Sequence, residues 1–552
     1  MSDRKGNPLV PIGLFLLLGA GGYGAYYFYQ RQQGAALDSI AGNVRFVPPT
    51  AIAGLAVSSN WRAWQSLERF NTKELQEAFA DAPKNLLPPD TDIDFARDIQ
   101  PWLGSTFVGI LSSPGKQALR PTVLFTQAQE NPPVEIAPPP EGAFIAVIGV
   151  RDRGKAEKFL QEKVLAKLQS PPQEVEYKGS KLFISTDLAW AFADRYLLFA
   201  PDRRTLEQSI DTYQGGQSFT LPTVELQLTQ PLLQFYIPNL RQAIDLAAAN
   251  SPQTIPAPLL DKLEKQAKAM VIGLGVEDTG LRLQAITQLG EEAPPFQPVP
   301  GKVISYFPAD TYFLFSGSNF KQSWQNLLEQ AKTEKPQQEA IEEIRRGVKE
   351  TLNLDLDKDI IAWLDGEFAL GVIPSEEGIL KQTRSGLVAI IQTSQRATAE
   401  ATLKRVDQLT QELGFPVKVA TQEINGVQVQ EWTSPFTPGS ILSYGWHQPD
   451  SVCVATGPLA KVITQKANPS LAESGAFQAI AGKLDKQNQG YLYLNLAKLW
   501  SIYAQDVTSR IPPEEAKQTQ AIMGSINGLA ATYSQPRPTE GKLDLFLSLR
   551  TK

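Results

Sequence analysis

The chain repeats itself. Phe46-Val-Pro-Pro-Thr50 recurs as Tyr306-Phe-Pro-Ala-Asp310, and Trp64-Gln-Ser-Leu67 recurs as Trp324-Gln-Asn-Leu327, both 260 positions later. Asp98-Ile-Gln-Pro-Trp102-Leu103 recurs as Asp359-Ile-Ile-Ala-Trp363-Leu364 at an offset of 261, with Phe107 falling on Phe368. Rare residues matching at nearly one offset mark a duplicated unit. Further on the offset shortens, as loop deletions require: Ala146-Val-Ile148 resembles Ala389-Ile-Ile391, and Ala156-Glu157 matches Ala399-Glu400. Each of these pairs opens a helix. Ala156, Phe159, Leu160, Val164 and Leu168 form one apolar stripe, and Leu403, Val406, Leu409 and Leu413 form the other. Gly414 and Pro416 supply stop signals for the second helix.

Short alternating runs follow each helix. They are Lys181–Ser185, Ala189–Phe192 and Tyr196–Phe199 in the first copy, and Val427–Trp432, Ile441–Tyr444 and Ser451–Val454 in the second. This spacing predicts antiparallel meanders. A helix is expected after each meander, near Arg203–Tyr213 and Pro458–Lys466. A late strand pair closes each copy: Met270–Gly275 with Leu281–Thr287, and Gly528–Tyr533 with Leu543–Leu549. The fold class is therefore α+β, two tandem copies of an antiparallel-sheet-plus-helix domain behind an N-terminal transmembrane helix.

That helix is read from residues 9–29, which carry no charge and have the length of the ~20 residues that cross a bilayer. Tyr23, Tyr26, Tyr27 and Tyr29 crowd its C-terminal end, where aromatic rings favour the headgroup level. A cleaved signal peptide is the alternative, with Gly22 and Gly24 as small residues near a cut. Arg4 and Lys5 precede the span and Arg31 follows it, which places the N-terminus in the cytoplasm and the large region outside it. Gly19-Ala-Gly-Gly-Tyr-Gly24 matches a dinucleotide fingerprint only in letters, since it lies inside the apolar span. The expected organisation is a short tail (1–8), the anchor (9–29), a linker (30–43), the first repeat (44–289), a proline-rich linker (290–301) and the second repeat (302–552). Residues 128–142 read as an extended loop of the first copy.

Composition excludes more than it assigns. The net charge is −6 and no long basic run exists, which argues against nucleic acid as a partner. The chain has one Cys, one His and three Met. Cys453, in an apolar strand-like run, reads as a small buried hydrophobe. A histidine-based metal site needs several ligands, and only His447 exists, within Gly445-Trp-His-Gln-Pro449. It is expected as an exposed turn residue. The first copy offers no histidine in the corresponding Phe192-Ala-Asp-Arg195.

No nucleophile elbow, zinc-protease or Walker pattern occurs. Asp92-Ile-Asp94 with Asp98, and Asp355-Leu-Asp357-Lys-Asp359, are aspartate clusters at predicted helix starts. The second resembles the start of a calcium loop but has Ile360 and Gly366 where that loop needs glycine and glutamate. Capping of free N–H groups is the better reading. Glu367, opposite Thr106 of the first copy, is a conceivable general acid, and dispersed carboxylates can pair in space. Trp64/Trp324 and Trp102/Trp363 read as core anchors. No catalytic, cofactor-binding or metal-ligating residue is assigned, and no cofactor is expected.

The N-terminal span, the Asp-Ile-x-x-Trp-Leu segment before a strand and the two-copy layout resemble a cyanobacterial membrane-anchored family of unknown function. The resemblance spans nearly the whole chain. It implies a thylakoid or plasma membrane location with the bulk in the lumen or periplasm, and it brings no activity. The expected role is a non-enzymatic binding or assembly factor with a protein partner at the membrane. The alternatives are a carboxylate-based extracytoplasmic hydrolase and a carrier of an apolar ligand such as a lipid or pigment.

Overall fold

The computed structural model describes residues 40–70, 95–111, 144–167, 170–186, 188–249, 257–293, 296–332, 335–412 and 416–552. The predicted anchor and the extended loop at 128–142 lie outside them. No helix among the described residues is long and apolar enough to cross a membrane. The chain divides into two compact units, Met1–Ala293 with Thr551–Lys552, and Pro294–Arg550. The division falls within the proline-rich stretch.

The first unit holds strands β1 (Ala51–Val57), β2 (Leu103–Leu111), β3 (Phe144–Val150), β4 (Gln173–Tyr177), β5 (Ser180–Ile184), β6 (Ala189–Ala193), β7 (Tyr196–Ala200), β8 (Gln230–Ile237), β9 (Ala267–Glu277) and β10 (Gly280–Leu289). All pair antiparallel, in the order β10-β9-β8-β1-β2-β3-β7-β6-β5-β4. The second unit holds β11 (Phe313–Ser318), β12 (Glu367–Pro374), β13 (Ser385–Gln392), β14 (Lys418–Ile424), β15 (Val427–Thr433), β16 (Ser440–Gln448), β17 (Ser451–Thr456), β18 (Leu492–Leu494), β19 (Ile526–Arg537) and β20 (Glu540–Leu549). Their order is β20-β19-β18-β11-β12-β13-β17-β16-β15-β14, again all antiparallel. Strand for strand, the two topologies are the same. The fold is α+β, as the alternation of short strands and helices predicts.

The recurring Phe46-Val and Tyr306-Phe pairs explain why both sheets begin alike. Val47 and Phe307 press on the middle strand at glycine. A Cβ on Gly109 would lie 2.4 Å from Val47 Cγ1, and one on Gly371 would lie 2.4 Å from Phe307 Cε1. Only glycine admits so close an approach. The backbone then repeats the same bonds. The Val47 carbonyl accepts from Phe219 N–H at 2.8 Å, and the Phe307 carbonyl accepts from Leu471 N–H at 2.7 Å. Phe46 stacks on Tyr213 with ring centroids 4.0 Å apart. Each entry segment thus plugs the core of its own unit.

A buried polar contact ties each plug to the middle strand. In the first unit the Asn43 carboxamide donates to the Ser105 carbonyl at 2.9 Å and the Val147 carbonyl at 2.7 Å, and accepts from Ser105 Oγ at 2.7 Å. In the second unit the roles reverse: the Glu367 carboxylate on the strand accepts from the N–H groups of Lys302 and Val303, at 3.2 and 3.3 Å. The register corrects the sequence alignment by one position. Ala56 faces Phe107 and Ser316 faces Ala369, so the counterpart of Phe107 is Ala369, and Glu367 corresponds to Ser105, not Thr106. Asp365 is the extra residue. It is held in place by accepting from Ser394 N–H at 3.0 Å.

Two matched tyrosines confirm the corrected register. Tyr236 pairs with Gly54 and Tyr493 with Leu314 at equivalent sites, and burial pushes both phenols up to about 12.

Asn43→Ala removes a side chain that satisfies two buried carbonyls. An unpaired buried polar group costs ~1–3 kcal/mol. Chemical denaturation of the variant should show a loss of that size. An unchanged midpoint would mean that the plug is held by apolar packing alone.

Candidate functional site

The aspartate clusters at 355–359 and around Asp98 are helix and tryptophan fixtures. Asp355 accepts from the N–H groups of Asp357 and Lys358, both at 3.0 Å, and Asp359 reaches back to Asp355 N–H at 2.7 Å. These are the bonds of an N-cap. The indole of Trp363 donates to the Asp359 carbonyl at 2.9 Å, and Trp102 makes the same bond to the Asp98 carbonyl at 2.7 Å. Both rings are buried. Asp357 instead binds Arg345 through two nitrogens, at 2.7 and 3.2 Å, and accepts from Trp324 at 2.7 Å. Trp64 is buried, whereas Trp324 is only half-buried. No group of metal-ligating side chains occurs among the described residues. Asp92 and Asp94 lie outside them.

Carboxylates elsewhere are also committed. Glu367 is buried at the plug, and desolvation raises its pKa against the pull of the backbone N–H groups. Asp407, on the helix Arg396–Glu412, accepts from Trp432 at 2.7 Å and from the Tyr444 hydroxyl. Asp485 and Asp544 converge on Lys542, at 2.6 and 3.7 Å. Lys542 and Asp544 are fully buried, so no substrate reaches that pair. A groove of about 420 Å³, lined by Pro308, Asp310, Val462, Lys466, Asn468 and others, contains a single carboxylate, Asp310.

Cys453 behaves as its sequence context predicts. It lies in the second unit's core, and burial raises its thiol to about 11. His447 does not. It sits inside β16, not in a turn, and both ring nitrogens are buried without a hydrogen-bond partner. Its ring meets Tyr306 edge-on at 4.3 Å. Desolvation lowers its pKa to about 4, opposed by the charge of Asp450.

What distinguishes the two units is the sheet face opposite the plug. In the second unit Phe315, Leu370, Leu387 and Leu492 lie on this face and are 45%, 40%, 51% and 37% exposed. Phe315 pairs with Leu370 and Leu492 in register, so three of them are direct neighbours. Phe368 and Phe320 extend the patch, with Phe320 edge-on to Phe368 at 6.1 Å. By register the counterparts in the first unit are Leu55, Val108, Phe144 and Phe235, and none is exposed. There the helices Leu240–Ala249 and Ala257–Gln266 pack on this sheet. In the second unit the helix Leu496–Thr508 packs on β19, yet none of its residues is buried. Sequence reasoning missed this face because an apolar strand reads the same whether it is covered or open.

Fold and site together define a class: an α+β protein with paired antiparallel sheets of one topology, one of which leaves an apolar face open. The model for the family described as "Protein of unknown function (DUF3352)" matches residues 10–549, and the chain belongs to that family. No curated protein matches. Among solved structures, crystal form III of TP0453 is 12% identical with a TM-score of 0.26, over 46% of this chain and 82% of that one. Crystal form I is 10% identical with a TM-score of 0.25, over 46% and 81%. Likeness at this level carries no inference about fold or function.

The His447 ring titrates near 4 when folded against 6.5 in its ordinary state, so the unfolded chain takes up the proton first as the pH falls. Stability from the neutral ring is complete above about pH 6.5 and is lost toward pH 4. Allowing for partial exposure, the loss is ~1–2 kcal/mol. His447→Phe should flatten the stability profile across that window in denaturation at stepped pH. A variant that keeps the wild-type slope would place the titration elsewhere.

Proposed function

We propose that the protein is a membrane-anchored extracytoplasmic binding or assembly factor, non-enzymatic, whose second unit docks a membrane-associated protein partner. Residues 9–29 form its anchor, retained in a thylakoid or plasma membrane of the kind the sequence resemblance implies. Its two units derive from one duplicated domain, a reading supported by their common strand order.

The observation that carries the proposal is the open apolar face of β11, β12, β13 and β18. Contiguous exposed apolar residues mark interaction surfaces. Covering a half-exposed Leu or Phe contributes ~1 kcal/mol, so the four together offer about 4 kcal/mol, or roughly three orders of magnitude in association constant before entropic costs. The sheet of the first unit keeps the same positions covered, which gives the units different tasks on one scaffold.

A second reading is an apolar-ligand carrier, with a lipid or pigment lying between this face and the Leu496–Thr508 helix. It is favoured by that helix's apolar composition and lack of any buried residue. The alternative is a carboxylate-based hydrolase; among the carboxylates noted above, Asp355 caps a helix, Glu367 pins a strand and Asp485 pairs with Lys542.

Crosslinking in the native membrane, followed by capture in mild detergent, tests the proposal. The wild-type chain should retain a partner that a Leu370→Ser/Leu387→Ser chain recovers at least tenfold less well. These two side chains are already half exposed, so the variant should fold normally by circular dichroism. Equal recovery by both chains would overturn the docking face. A lipid or pigment co-purifying only with wild type would favour the carrier.

A further inference from the structure

We propose that His447 and Ser451 form a closed polar site in the second unit that binds one small neutral hydrogen-bonding guest, of about the size of water, beside the ring of Tyr306.

Three observations converge. The first is a bulge. Trp446 pairs with Val452 and Gln448 with Ser451, which leaves His447 as the extra residue of β16. A bulge re-aims a side chain. Here the imidazole is turned onto Tyr306, a member of the second unit's core. Side chains alternate along β17, and Cys453 and Ala455 belong to that same core, so Ser451 faces it as well. His447 and Ser451 therefore face the core from adjacent positions of one hairpin.

The second observation is that both are polar without partners. Ser451 is 1% exposed, and its Oγ accepts and donates no hydrogen bond within the chain. Both His447 nitrogens are in the same condition. Buried polar groups are normally satisfied, and each one left without a partner is destabilising. A neutral imidazole offers one donor and one acceptor, and a serine hydroxyl offers both. Together they match a guest that can give and receive hydrogen bonds at once. With the ring neutral, the two side chains present no charge of their own to an ion, although the Asp450 carboxylate acts on the ring.

The third observation is the other unit. Gly149 faces Tyr196 and Gln392 faces Ser451 at equivalent positions, so Ser451 stands where the first unit has tyrosine. The Tyr196 ring packs against Phe46 at 5.1 Å, and Phe46 is the counterpart of Tyr306. The second unit therefore has a hydroxymethyl group where the first has a phenol ring. An aromatic contact of the first unit is replaced in the second by unpartnered polar atoms.

Because the chain has a single histidine, ring-nitrogen NMR of full-length, untagged protein labelled with 15N-histidine reads this site without assignment. Ser451 and His447 make no direct hydrogen bond, so Ser451→Ala tests their coupling through a shared guest, and Ser451→Thr, which keeps the hydroxyl, controls for packing. A resolved shift of the His447 ring nitrogens in Ser451→Ala is the expected result. Superimposable spectra would overturn the proposal. An exchange or NOE cross-peak from water to the ring protons identifies solvent as the guest. A stoichiometric small molecule released on denaturation and detected by mass spectrometry identifies a ligand instead. If neither appears, no guest is bound and the proposal fails. Should Ser451→Ala perturb the fold, Ser451→Thr keeps the hydroxyl and should leave the ring resonances near their wild-type positions.

Discussion

Each unit depends on one close contact, the entry segment pressed onto a glycine of the middle strand. Val47 on Gly109 and Phe307 on Gly371 leave no room for a Cβ. That contact seals one face of the sheet, fixes the register of β2 and β12, and draws the neighbouring carbonyls into bonds with the chain that later wraps back. Where the backbone comes so near, its polar groups lose water. Asn43 and Glu367 restore the lost hydrogen bonds from opposite sides of the same joint. The pairing of an apolar plug with a buried polar pin is conserved between units although the residues differ, because geometry sets the requirement and more than one side chain meets it.

With one face sealed, the other is free to diverge. In the first unit the corresponding positions, Leu55, Val108, Phe144 and Phe235, are buried or half-buried. The second leaves Phe315, Leu370, Leu387 and Leu492 partly in solvent. The large buried clusters lie on the sealed side, so an open face in the second unit is tolerable. The bulge at His447 follows the same logic on a smaller scale. A position that packs an aromatic ring in one unit presents polar atoms in the other.

Much of this was legible in the sequence. The Asp-Ile-x-x-Trp-Leu segments and the paired meanders appear where pattern and turn chemistry put them. Several of the strands that were missed have physical reasons. β4 and β14 are polar edge strands without an alternating apolar signal, β18 spans three residues, and β8 is broken by Pro231. The alignment of Phe107 with Phe368 misled because a one-residue insertion at Asp365 flips every later side chain to the opposite face. Phe107 accordingly lies in the core, while Phe368 belongs to the open patch. His447 looked like a turn residue beside Gln448 and Pro449, and no single-sequence signal separates a turn from a bulge one residue earlier.

The central claim is that one face is open in the second unit and covered in the first. Carbene footprinting with a small apolar diazirine, read by peptide mass spectrometry on the folded full-length chain, addresses it directly. The account predicts strong labelling of peptides carrying Phe315, Leu370, Leu387 and Leu492, and weak labelling of those carrying Leu55, Val108, Phe144 and Phe235. Equal labelling of the two sets, or a reversed pattern, would contradict it.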